Sequence, residues 1–181
     1  LIESAIKHKI VIAVGVPLLV SDVIHIAIVI ISAEGDVSSY SKMHLHTGEE
    51  EFITEGTSHY LVKVQSSNGE LNIANAICAD ITHPIHAQTC NELGANIYMA
   101  GVLIGQNGYA TDVRFLESYS SDFNMLVAMA NHNQPTGIWT PIGKSAIWFE
   151  GKLIACANET EDALVVAEKS DRHWVGYVVE L

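Results

Sequence analysis

Basic residues are scarce in this chain: nine Lys and Arg stand against 21 Asp and Glu over 181 residues, a formal net charge of −12. Nucleic-acid grooves and anionic membrane surfaces select the opposite sign, so neither is an expected partner. Cysteine is rarer still. Cys78, Cys90 and Cys156 are odd in number, at spacings that suggest no disulfide framework, which points to a reducing compartment, the cytoplasm by default. No apolar run reaches the length of a membrane span, because Asp22 and His25 interrupt the longest, residues 10–31. Signal peptide, internal repeat and low-complexity tract are all missing from view. The composition, 49% hydrophobic and 17% charged, is enough for one substantial core and short for two, so residues 1–181 are expected to form a single domain. The chain opens without Met inside a helical pattern, which reads as a piece of something longer.

Residues 1–9 place Leu1, Ile2, Ala5 and Ile6 on one helical face. A β-branched run over residues 10–16 predicts a buried strand that ends at Pro17. A second run covers 25–32, and Glu34-Gly35-Asp36 turns it into a strand at 37–41. Residues 42–56 are polar and aperiodic, a long loop of the kind that carries function. Strands follow at 60–64 and 71–77 across the turn at 66–69. A helix then opens at Pro84 and stops at Gly94. Further expectations are a strand at 96–100, a Gly-containing loop over 101–111 and a helix over 112–124 with Val113, Leu116 and Tyr119 or Ser120 inward. Strands are expected at 125–130, 144–149, 152–157 and 163–167, with Glu150-Gly151 as a tight turn, while 174–181 is apolar and untyped. Helices interleaved with strands argue for a layered α/β sandwich with a mixed sheet.

Cys78 closes the apolar run 71–77. A strand that stops at a thiol and turns into a helix can hold the sulfur at the rim of a sheet, where helix N-terminal amides favour a thiolate. That geometry suits a nucleophile. A plain buried cysteine is the commoner fate of the residue type, and it is the reading for Cys90 and Cys156. A free thiol is mostly protonated at neutral pH, so a nucleophile needs a base, a cation or a helix dipole beside it.

Two stretches carry a resemblance. Tyr40-Ser41-Lys42-Met43-His44-Leu45 resembles the Y-x-K-x-H-L signature of the nitrilase, or carbon–nitrogen hydrolase, superfamily. Ile77-Cys78-Ala79-Asp80-Ile81-Thr82-His83-Pro84 resembles its I-C-x-D-x-x-x-P nucleophile motif. Their order and separation, 78 − 42 = 36 residues, fit the family. So do Gly48-Glu49-Glu50 before Gly56, Met129-Ala130-Asn131, and Gly143-Lys144-Ser145-Ala146-Ile147-Trp148 before Gly151.

The resemblance implies an αββα sandwich with mixed sheets, truncated at its N-terminus, that needs no cofactor and forms a homo-oligomer. It makes Cys78 the nucleophile, adding to a carbonyl or nitrile carbon. Lys42 becomes the oxyanion donor together with the Ala79 N–H. Glu49 matches the additional glutamate that positions lysine and substrate, with Glu50 and Glu51 as neighbouring alternatives. Cys78-Ala79-Asp80 is similar to the amidase side of the superfamily rather than to the true nitrilases, which usually carry Trp-Glu there.

Three departures stand out. The family's general-base glutamate belongs to a segment before Leu1, so the isolated chain is expected to be weak or inactive. Ala79 stands where many members have an aromatic residue, which widens the substrate pocket. His83 and Ile85 flank Pro84 where an aromatic residue and a glutamate are common. Outside the motifs, Asn131 ends a strand near the sheet rim and is a candidate substrate contact, and Tyr109, Asp112, Trp139 and Trp148 could line a pocket, at least one Trp being core. Asp80 is expected to cap the turn or helix after Cys78. His83, His86 and Cys90 share a helical face, as zinc ligands can; packing is the expected reading, and no metal is assigned.

The expected function is cleavage of a non-peptide carbon–nitrogen bond in a small amide or N-carbamoyl compound through a Cys78 thioester. The competing class is a catalytically silent domain that binds a small molecule or a partner, since the general base is absent from the chain.

Overall fold

The computed structural model describes residues 1–171 and 173–181. They fall into two compact units, Leu1–Tyr60 and Leu61–Leu181.

The first unit starts with helix α1, Ile2–His8, which closes on Lys9 in the left-handed region. A three-stranded antiparallel sheet follows in the order β1-β2-β3, with β1 Ile12–Val20, β2 Val23–Ile31 and β3 Val37–Ser41. Pro17 does not end β1 as expected; it lies within it, opposite Ile26. An edge strand tolerates this, because an outward-facing position needs no N–H. Ser21 and Asp22 both have positive φ, 48° and 69°, the geometry of a two-residue turn whose twist matches its strands. Of the expected inner face of α1, Ala5 is buried, while Ile2 and Ile6 lie against Gly35, where an added Cβ would stand 2.9 Å from Ile6 Cδ1.

The second unit is built on a six-stranded mixed sheet in sequence order: β4 Leu61–Ser66, β5 Gly69–Ile77, β6 Ile97–Val102, β7 Leu126–Asn131, β8 Ala146–Phe149 and β9 Lys152–Cys156. The pairs β5–β6 and β6–β7 are parallel. Their crossovers are helices α2, Pro84–Glu92, and α3, Gln106–Asp122. Ala76, Tyr98, Val127 and Trp148 of the sheet, with Cys90 of α2 and Leu116 and Tyr119 of α3, form one core. The opposite face carries Ile97, Leu126 and Ile147, against which Val165 and Trp174 pack. Those two belong to the hairpin of β10 Ala163–Ser170 and β11 His173–Glu180, so the untyped segment 174–181 is a strand.

Other boundaries differ from the sequence reading as well. Residues 106–111 are the first turns of α3 rather than loop, since a glycine in the opening turn weakens a helix without forbidding it. Cys78 does not lead straight into α2; a 3₁₀ turn, Cys78–Thr82, intervenes. The end of α2 follows its sequence. Gly94 adopts φ 96°, with Gly94 N–H on Asn91 O at 2.8 Å and Ala95 N–H on Cys90 O at 3.0 Å, the paired bonds of a glycine-terminated helix. No described helix is long and apolar enough to cross a membrane. The mixed α/β architecture agrees with the fold class read from the sequence.

Candidate active site

In the first unit the loop after β3 is tied to the sheet at both ends. Lys42 N–H donates to Ile26 O at 2.8 Å, Thr54 N–H to Ile24 O at 2.8 Å, and Gly56 N–H to Lys42 O at 2.7 Å. A Cβ on Gly56 would lie 2.2 Å from Ser41 O, so this close approach needs glycine. The Lys42 side chain is 1% exposed and its Nζ donates to Glu49 Oε2 at 2.5 Å. An ammonium buried that far is tolerable only with a charged, hydrogen-bonded partner. Glu49 sits in a short 3₁₀ turn, Glu49–Glu51, and its Oε2 also accepts the His46 N–H at 2.8 Å. Glu50 caps the Gly48 N–H instead, at 2.7 Å, and Glu51 is exposed. Of the three neighbouring glutamates, the structure brings Glu49 to Lys42.

In the second unit Cys78 follows the last residue of β5, at the carboxyl end of a parallel strand. Ligand sites of open α/β sheets lie beyond such ends. Cys78 is half-buried and has φ 44°, a backbone conformation that costs a non-glycine residue about 1–3 kcal/mol. Side-chain bonds hold the turn in that shape. Asp80, fully buried, accepts the Ile77 N–H at Oδ2, 2.9 Å. The Ala79 carbonyl accepts the Thr82 hydroxyl at 2.9 Å and the His83 Nδ1–H at 2.8 Å, and the Ile81 carbonyl accepts the Tyr119 hydroxyl at 2.8 Å. Asp80 thus caps the turn, as its position suggested. The Thr82, His83 and Tyr119 bonds were not read from the sequence; polar residues crowded behind a strand end are the one signal that could have suggested the first two.

Asn131 ends β7 in register with Val102, two strands from Cys78 and so about 10 Å across the sheet. Its Oδ1 accepts the Ile104 N–H at 2.9 Å, and its Nδ2 donates to Ile104 O at 2.9 Å and Gly143 O at 2.8 Å. It therefore ties the β6–α3 connection to the β7–β8 connection, and it borders an open cleft of about 300 Å³ shared with Lys144, Glu161 and Asp162. Trp148 is core and Trp139 is half-exposed. Tyr109 donates to Lys144 O at 3.0 Å, and burial raises its phenol. Burial also raises the Asp112 carboxyl.

His83, His86 and Cys90 are not presented together. His83 is exposed, while His86 and Cys90 are buried, and His86 Nδ1 meets the Tyr98 hydroxyl at 2.9 Å. Burial, with the Asp80 carboxylate as a lesser cause, pushes the Cys90 thiol from its usual 9 up to about 12, so Cys90 stays a neutral thiol. Ala79 is half-buried beside Cys78.

The family model for carbon–nitrogen hydrolases matches residues 1–171. None of the curated proteins matches this chain. Among solved structures, the chain is similar to Saccharomyces cerevisiae Nit3, a member of branch 10 of the nitrilase superfamily, with a TM-score of 0.78 and 21% identity over 89% of this chain and 60% of that one. It is also similar to the NitN amidase of Nesterenkonia sp. AN1, with a TM-score of 0.75 and 19% identity over 88% and 63%. A cysteine-to-alanine mutant of that amidase in complex with butyramide gives 0.76 and 18% over 99% and 64%. The chain thus spans less than two thirds of the length of these structures, and at such identities they speak to the fold. The family match runs through both units and includes both motif stretches, and on it the chain belongs to the carbon–nitrogen hydrolase family.

Proposed function

We propose that this protein is a thiol hydrolase that cleaves the carbon–nitrogen bond of a small amide or N-carbamoyl compound. Cys78 Sγ adds to the carbonyl carbon, the amine leaves with a proton, and water releases the acid from the thioester. Covalent attack divides one slow hydrolysis into two easier steps. Lys42 and the Ala79 N–H stabilise the tetrahedral oxyanion, a contribution of about 3 kcal/mol for one comparable donor. Glu49 holds the Lys42 ammonium in place, and Asn131 fixes the connections at the rim of the sheet. The whole of residues 1–181 is read as one catalytic domain acting in a homo-oligomer.

The observation that carries this reading is Cys78 itself: a half-buried cysteine with a strained backbone at the end of a parallel strand, within the family match. Buried structural cysteines have no need of such a backbone. The Nesterenkonia amidase offers support by analogy, since its structures include acrylamide and the acetamide moiety of fluoroacetamide added covalently at the active-site cysteine.

Incubation of the protein with fluoroacetamide, followed by peptide mass spectrometry, tests the proposal. An adduct confined to Cys78 is expected. Equal, slow modification of Cys78, Cys90 and Cys156 would instead favour a silent binding domain.

A further inference from the structure

We propose that Asp80 is a positioning residue of the nucleophile turn, acting through the Ile77 amide on the backbone of Cys78; this rests on the reading of Cys78 as nucleophile. The β4–β5 ladder stops at Ala74, three residues before the end of β5. Beyond it, Asp80 Oδ2 takes the Ile77 N–H at 2.9 Å. That bond reaches from residue 80 back to residue 77 and so encloses Cys78. With Ile77 fixed on one side and the Ala79 carbonyl held by Thr82 and His83 on the other, Cys78 is kept at φ 44°. The same closure sets the direction of Sγ and of the Ala79 N–H, the two groups that the reaction needs on one carbonyl.

Asp80 is 0% exposed, and its charge reaches both the Cys90 thiol and the Tyr98 phenol, raising each. Burying a charged acceptor is costly, and such groups concentrate at functional sites. A carboxylate only accepts hydrogen bonds and holds an amide more firmly than a neutral oxygen does. What it contributes to the reaction is geometry, through the Ile77 amide.

The test uses the full chain, iodoacetamide as the probe, and peptide mass spectrometry on all three cysteines. Asp80→Asn and Asp80→Ala are both neutral, and they differ in whether an oxygen acceptor remains for the Ile77 N–H. Asp80→Asn is expected to label Cys78 within about threefold of the unmodified protein, and Asp80→Ala about tenfold more slowly than Asp80→Asn, with Cys156 unchanged throughout. Equal Cys78 rates in the two variants, with Cys90 still protected in both, overturn the proposal. If Asp80→Ala exposes Cys90, Asp80→Glu takes its place against the unmodified protein, carrying the same charge with the acceptor one methylene out of place. A tenfold slower Cys78 then supports the role, and an equal rate overturns it. An unmodified Cys78 no faster than Cys156 removes the nucleophile reading and this proposal with it, a result distinct from a fast Cys78 that is indifferent to Asp80.

Discussion

Two short stretches hold the candidate chemistry, and they are organised by different forces. The loop from Lys42 to Gly56 has almost no regular structure. It is held by backbone bonds to β2, by carboxylate caps on the His46 and Gly48 amides, and by an ion pair in which a lysine 1% exposed meets a glutamate 29% exposed. The turn Cys78–Thr82 is continuous with a strand, contains no glycine, and is shaped by side chains that capture its backbone groups around a positive-φ cysteine. In the first stretch charge decides where a side chain goes. In the second, backbone conformation does. The difference is chemically sensible, since an ammonium is positioned by its counter-ion and a thiol, with weak hydrogen bonding, has to be positioned by the chain that carries it.

The contrast can be broken by substitutions that strike one mode and not the other. Replacing Lys42 with Ala is expected to have the largest effect, lowering the acylation rate at Cys78 by about 10²–10³, the range for loss of one oxyanion donor; single-turnover kinetics on a small amide would measure it. Next in size is Gly56→Ala, whose Cβ meets the Ser41 carbonyl at 2.2 Å. A cost of about 3 kcal/mol is expected from such overpacking, read as a lower urea midpoint. Glu49→Gln removes the counter-ion of the buried ammonium and is expected to cost about 2 kcal/mol, below the range for fully buried pairs because Glu49 is partly exposed. The same unfolding measurement checks it, and a midpoint unchanged to within error would mean that charge does not organise the loop.

An effect that is small for each pH unit lies under the turn. The Cys90 thiol is pushed from 9 up to about 12 in the folded protein. Between these values the unfolded chain has lost this proton and the folded one has kept it. Stability from Cys90 is therefore complete below pH 9 and declines as pH rises toward 12, by about 1.4 kcal/mol per unit. Urea unfolding at a series of alkaline pH values should show this slope, reduced in Cys90→Ala.

Much of the second unit was legible because its signals are local. Strands expected at 96–100 and 125–130 lie where β6 and β7 are found, and Gly94 marked the end of α2. The start of α3 was misread because Gly108 and its polar neighbours look like loop until tertiary packing is added. Pro17 misled for the opposite reason: a proline stops a central strand but not an edge strand, and edge position is not written in the neighbouring residues. The motif around Lys42 pointed to Glu49, yet three consecutive glutamates left the partner open until the ion pair was seen. What no pattern disclosed was the capture of the Ala79 and Ile81 carbonyls, because bonds from Thr82, His83 and Tyr119 to backbone depend on orientation rather than on residue type.

The proposed hydrolysis requires Cys78 and Lys42 to act on the same carbon. The most direct measurement is the rate of iodoacetamide labelling at each cysteine, in the unmodified protein and in Lys42→Ala. Cys78 is expected to react at least tenfold faster than Cys90 and Cys156, and to lose most of that advantage without Lys42. A Cys78 rate that matches the other two, or one that is indifferent to the loss of Lys42, would contradict it.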